Sequence, residues 1–429
     1  VAEVATINQV VQIGVETTEG TAVPALKKLA SLGFDIGPDV TIDVFKATGR
    51  KRPSIAAMSM ESAEGDLSGR PTYDEIMYPL AMIMGNKVTT SLGSGAYQHV
   101  FTPKTSGSDV VKSLTVEQGD PTAGLAHRSA GTKLVSFGIN VSRSATEVTG
   151  TTIGKRITEN VRLSGNEIQQ LAITGGTPTS GEADLTFTGQ TTAGVGHDAT
   201  AGEVQTALEA LSNINPGDVI VAGGPWPATP ITVEFTGQYA QSDVAAITAV
   251  DDFDAGEVTI TTPTPGSAPT ELPETPIQPT EWSCYLDDTS GALGTTKALR
   301  VLSVSTSDSD RFGPVWVVDQ AQDSYVATVE TDPSSEFTVM LAADAYARTL
   351  FATMRAGAGK FVRLEAVGPV IGGGINHRLR FDMHIKITDI DRFSDQDGVY
   401  AVQFTGQWFH NAAWAKSMQA TVTNTQADL

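Results

Sequence analysis

Cysteine is all but absent from this chain. A single thiol, Cys284, in 429 residues excludes an internal disulfide framework and fits a protein made in a reducing cytosol. Flanked by Ser283 and Tyr285 with no local partner signature, Cys284 reads as a buried structural thiol rather than a nucleophile. Long apolar runs are missing too. No stretch reaches the length of a membrane span, and the opening VAEVATINQVVQIG lacks the charged and apolar regions of a signal peptide, so no membrane partner is expected. Motifs for catalysis fail on spacing. The six histidines (His99, His127, His197, His377, His384 and His410) show no metal-ligand spacing. GTTIGKR at Gly150 to Arg156 is one residue short between its glycines and has Arg156 where a phosphate loop needs Ser or Thr. The glycines Gly372 to Gly374 have no following helix to hold a phosphate, and read as a tight turn. There is no G-x-S-x-G elbow, and the pairs Asp251 and Asp252 or Asp287 and Asp288 lack the spaced oxygen ligands of a calcium loop. The residues therefore predict no catalytic group, no metal and no cofactor: a protein that is not an enzyme.

The most localised absence is of positive charge. Between Arg162 and Lys297 there is no Lys or Arg, while Glu167 to Asp288 supply 18 carboxylates. The rest of the chain holds 28 basic and 31 acidic residues, so most of the net charge of -21 sits in the middle. That segment is repelled by DNA and by anionic membranes. It is also rich in Gly, Thr, Ala and Asp, and ends in the proline-dense TTPTPGSAPTELPETPIQPT, which reads as an extended linker with little regular structure. The predicted organisation is a first part (1–165), an inserted acidic module (166–265) and a second part (266–429).

What the chain does contain is alternation. From Leu379 to Thr388, Leu379, Phe381, Met383, Ile385 and Ile387 fall on one face, and Arg380, Asp382, His384, Lys386 and Thr388 on the other. Period two is that of a strand with one dry and one wet face. Tyr400, Val402, Phe404 and Trp408 repeat the pattern opposite Ala401, Gln403, Thr405 and Gln407. Further strands are predicted at 36–45, 113–117, 134–141, 282–286, 298–304 and 337–341. Helical spacing marks 342–355, with Tyr346, Leu350 and Met354 in a stripe. It also marks 73–84, where Asp74 and Glu75 would occupy the first turn and Pro79 would kink or shorten the helix. Residues 1–30 read as an extended arm. Arg50, Lys51 and Arg52 form a basic loop, read as solvated or intersubunit rather than as a nucleic-acid patch, since no aromatics interleave it. Inside the acidic segment, Thr200 and Glu203 make a capping box ahead of a helix to Leu211, and 185–188, 219–221 and 231–235 are short strands. The sum is a mainly β (α+β) antiparallel body plus a small αβ insert.

Several phrases, in order, resemble the major tail tube proteins of long-tailed bacteriophages: VQIGVETTEGTAVPALKKL with TGRKRPS, PTEWSCYLDDTSGALGTTKALRVLSVSTSDSDRFGPVWVVD, and the DxDGVYAV ending with Asp395, Asp397 and Gly398 to Val402. The resemblance covers residues 8–165 and 266–410; the acidic middle resembles a decoration-type insertion module of phage structural proteins. It implies an antiparallel β-sandwich or half-barrel with one flanking helix. It also implies self-association into stacked, hexameric rings, which form a tube in the virion tail assembled in the host cytoplasm. The partners so implied are tape measure and tail terminator or distal tail proteins, with double-stranded DNA as passing cargo. Arg380, Asp382, His384, Lys386, Gln403 and Gln407 become candidates for a lumen or intersubunit face, and Arg50, Lys51 and Arg52 for an intersubunit loop. Alternatives are a capsid or decoration subunit, and a carbohydrate-binding surface protein, which the missing signal peptide disfavours.

Overall fold

The computed structural model describes residues 6–121, 125–319, 321–396 and 398–429, so the arm's first residues and Asp397 lie outside the described residues. Strands dominate. Among the described residues α-helix is confined to α1 (Met77–Ile83), α2 (Ala201–Glu209) and α3 (Ala345–Arg355), and the chain is mainly β as its alternation predicts.

The main sheet system contains β1 (Leu32–Phe45), β2 (Ile55–Gly69), β3 (Leu125–Ser142), β4 (Thr146–Gly154), β5 (Val301–Ser309), β6 (Ser334–Ala342), β7 (Gly359–Gly372), β8 (Ile375–Ile390), β9 (Ser394–Gln396), β10 (Val399–Trp408) and β11 (Met418–Asn424). Antiparallel pairing runs β1-β2-β4-β3-β5-β6-β10, with β9 and the end of β8 on the far side of β10. β8 lies between β7 and β11. Gly373 and Gly374, both at positive φ, make the β7–β8 turn, so these glycines serve a tight reversal.

Alternation decides what β8 buries. Leu379, Phe381, Met383 and Ile385 all enter the main core, where Val402 and Phe404 of β10 meet them. Tyr400 departs from the expected face. It is 70% exposed, because the start of β10 runs beyond the core and is flanked by β9.

Helix α1 is two turns long rather than three. Pro79 occupies its first turn, where backbone N–H groups have no helical partner to lose. Asp74 and Glu75 precede the helix instead of lining its first turn, and both are fully buried. Glu75 accepts hydrogen bonds from the Ala30 and Ser31 backbone N–H groups, and so fastens the N-terminal strands to the core. Helix α3 is capped by Asp344, whose carboxylate accepts from the N–H groups of Tyr346 and Ala347 at 2.9 and 3.0 Å.

The acidic segment has a core of its own. One four-stranded sheet contains Val219–Gly223, Ile231–Phe235, Ile168–Thr174 and Glu257–Thr264 in that order. Its apolar side and α2 enclose Leu171, Val204, Leu208, Val233 and Phe235, a cluster separate from the main core. The Thr200 and Glu203 capping box is present on α2. The proline-dense stretch is more anchored than its composition predicts. Thr261 to Thr264 complete a strand, and Leu272 and Ile277 are buried against the body, where the Tyr73 N–H donates to the Thr275 carbonyl at 3.0 Å. Direct bonds also join insert and body: Gln241 Nε2 donates to Gln12 Oε1 at 2.6 Å, and Arg162 pairs with Glu234 at 2.8 Å.

A buried charge cluster sits at the end of α1. Arg311 donates to the Ile83 carbonyl and shares its guanidinium among Asp109 at 2.6 Å and Asp308 and Glu330 at 3.5 Å. One cation cannot neutralise three carboxylates. Burial pushes Asp308 up to about 7, with the pull of Arg311 opposing and the charge of Asp109 reinforcing the shift. Because the folded state holds this proton more tightly than the unfolded chain, whose Asp titrates near ~3.9, the cluster destabilises progressively from about pH 4 to about pH 7. Asp308→Asn should therefore unfold at higher urea than the parent at pH 8, with the gap closing by pH 4. A gap that persists at pH 4 would contradict this assignment.

Candidate functional site: a shielded polar face and an uncovered ribbon

The polar face of β8 is less wet than alternation alone implies. Asp382 and His384 are buried, Arg380 and Lys386 are half-buried, and on β10 Gln403 is half-buried while Gln407 is exposed. The shielding comes from neighbouring strands in register. Arg363 of β7 lies directly across from Asp382 and grips it through two hydrogen bonds, Nε to Oδ1 at 2.6 Å and Nη2 to Oδ2 at 3.0 Å. Arg380 approaches the same carboxylate at 3.4 Å, and Arg378 pairs with Glu365 at 3.5 Å. Burial works against the Arg363 charge, but the hydrogen bonds and charge of Asp382 outweigh it and raise its pKa. For Arg380 burial wins, and its pKa is lowered despite Asp382. His384 packs its ring against Phe361 with centroids 4.8 Å apart and bonds the Phe409 carbonyl through Nδ1 at 2.9 Å. A Cβ on Gly359 would fall 2.1 Å from His384 Nε2, so only glycine leaves room for the imidazole. Lys386 lies over the Phe409 ring and across from Gln407. The face thus unites Arg380, Asp382, His384 and Lys386 with Gln407 in one mixed-sign band.

Arg50, Lys51 and Arg52 are elsewhere. They lie at the turn of the β1–β2 hairpin, with Lys46 beside them, all exposed and forming no ion pair among the described residues. The hairpin pairs from Leu32 with Gly69 out to Phe45 with Ile55. Its inner half is held by β4, but that pairing stops at Ala63. Ser62 is still buried and Glu61 is tied to Ser324 and Arg156, so residues 40–60 project as a two-stranded ribbon, about 20 Å long at ~3.4 Å per residue. One of its faces is apolar. Ile42 and Val44 alternate onto it with Met58 and Ala56 directly across, and Val40 follows at its base opposite Glu61. Ile42, Val44 and Met58 are 56%, 55% and 62% exposed.

Periodicity places the ribbon strand correctly, yet it cannot show that no layer covers its apolar side. A second surface, absent from the sequence reading, lies along β9 and the start of β10. Phe393 and Tyr400 meet at a tilt with ring centroids 5.8 Å apart, beside Phe351 of α3, and both are exposed. The only signal for it was Tyr400 itself, which alternation assigned to the core.

No family model and no curated protein matches the chain. Its chemistry is accordingly read from its geometry. Among the described residues no group of three His, Cys, Asp or Glu side chains is placed to hold a metal ion. GTTIGKR is strand β4 and its exit, with Gly150 across from Phe137 and Leu67. Cys284 is buried, and burial pushes its thiol up to about 12. Native protein at pH 8 should resist a thiol-reactive chromophore that titrates one thiol per chain after denaturation; rapid labelling of the native form would contradict a structural role.

Proposed function

We propose that this chain is a structural virion protein that polymerises into the tail tube of a long-tailed phage, as rings stacked head to tail around a DNA channel. The observation that carries this reading is the β1–β2 ribbon, whose apolar face has no cover in a single chain. A projecting two-stranded ribbon is marginal in water by itself, and an exposed strand edge invites pairing with another chain. Burial of a large apolar side chain stabilises by ~1.5–3 kcal/mol when complete, so covering this face on another copy supplies several kcal/mol to association. A repeating, non-isologous contact of this kind builds rings or filaments.

The polar band on β8 and β10 is the candidate lumen or subunit seam. Its mixed sign suits a DNA conduit, because a strongly cationic wall would hold the duplex by counterion release. The acidic insert, with its own core and no cation between Arg162 and Lys297, is assigned to the tube exterior, away from DNA. Electron microscopy of the purified protein tests the reading. Hollow rings or tubes are expected, and shells or monomers at all concentrations would overturn it, shells favouring a capsid role. Deleting residues 166–265 and joining the flanking chain should leave the inner diameter unchanged.

A further inference from the structure

We infer that the basic-tipped ribbon of one copy docks on the exposed aromatic and acidic end of β8–β9–β10 in the next copy. The inference rests on the assembly reading above and names its interface.

Three observations converge. The first is position. Strand β1 pairs only with β2 and β9 pairs only with β10 among the described residues, so each surface carries a free strand edge, and the two are separated by β4, β3, β5 and β6 in the order of pairing. Two different surfaces of one subunit can be joined between copies while each copy keeps its other surface free, which is the requirement for a head-to-tail series. The second is apolar match. The ribbon offers Ile42, Val44 and Met58, and the receiving end offers Phe393 and Tyr400, both exposed. The third is charge. The ribbon tip carries Lys46, Arg50, Lys51 and Arg52, whereas Asp389, Asp391 and Asp395 surround the aromatic pair with Arg392 as the one cation in that stretch, all of them exposed. Opposite signs placed beside matched apolar faces set register and exclude a like-with-like contact.

The test uses two full-length variants. One reverses the tip (Arg50→Glu, Lys51→Glu, Arg52→Glu); the other reverses the receiving end (Asp389→Lys, Asp391→Lys, Asp395→Lys). Each alone presents like charges across the contact, so its pelleted fraction in a sedimentation assay should fall at least tenfold. In an equimolar mixture every contact is again between opposite signs, and assembly should return as an alternating copolymer. Assembly by either variant alone, or no assembly on mixing two variants with parental thermal melts, overturns the inference. A second measurement does not depend on charge reversal. With Cys284 buried, Lys51→Cys combined with Asp391→Cys should give a ladder of disulfide-linked multimers on mild oxidation, and monomers only would count against the contact. If the unmodified protein forms tubes while these tests fail, the interface is wrong and the tube reading stands; if it never assembles, the tube reading fails first.

Discussion

Replacing Ile42 and Val44 by Asp should abolish assembly while leaving the subunit folded. Both side chains project from the part of the ribbon beyond the last β2–β4 pair, and they touch no residue of the main core. In the monomer the change removes only the surface that each half-exposed side chain buries against its cross-strand neighbour, Met58 or Ala56, so the thermal melt should move by only a few degrees. In an assembled state it would place two carboxylates in an apolar contact, where burial of an unpaired charge costs several kcal/mol per ion. Association held by a few kcal/mol per contact cannot absorb that, and the sedimenting fraction should fall to background. Rings of normal appearance from this variant would remove the ribbon from the interface and with it the main support for the tube reading.

The second large effect concerns folding. Asp382→Ala should lower stability by about 3 kcal/mol, near the lower end of the ~3–5 kcal/mol typical for breaking a buried ion pair. Asp382 is the carboxylate shared by Arg363 and Arg380, and its removal leaves two partly buried guanidinium groups without that partner. The discount from the upper end reflects their solvent access, since the Arg363 and Arg380 side chains are 20% and 22% exposed. The check is a shift of the urea midpoint, with Arg363→Met combined with Asp382→Leu recovering part of the loss. An unchanged midpoint for Asp382→Ala would mean that water already satisfies this pair. Substitution of Asp382 by Lys is for the same reason a test of folding rather than of DNA passage. Lys386 and Gln407, at the more accessible end of the band, are the cleaner positions for altering a channel wall.

Local periodicity determined much of this protein by itself. The apolar rows of β8 and β10, the capping box on α2, the helical stripe within 342–355 and the strand leading to the basic turn are all properties of residues within a few positions of one another, and such patterns survive reading one segment at a time. The stretch without Lys or Arg between Arg162 and Lys297 likewise contains the segment that builds a second core. What a strand's faces meet is not local. Asp382 reads as solvent-facing in its own strand, and it is buried because the β7–β8 register brings Arg363 across from it. Tyr400 reads as core, and it is exposed because its strand outruns the layer beneath. Val40, Ile42 and Val44 have the alternation of a covered strand, yet Ile42 and Val44 are left more than half exposed. Sequence fixes which side chains share a face; only packing between distant segments decides whether that face is filled, shielded by salt bridges or left for another molecule.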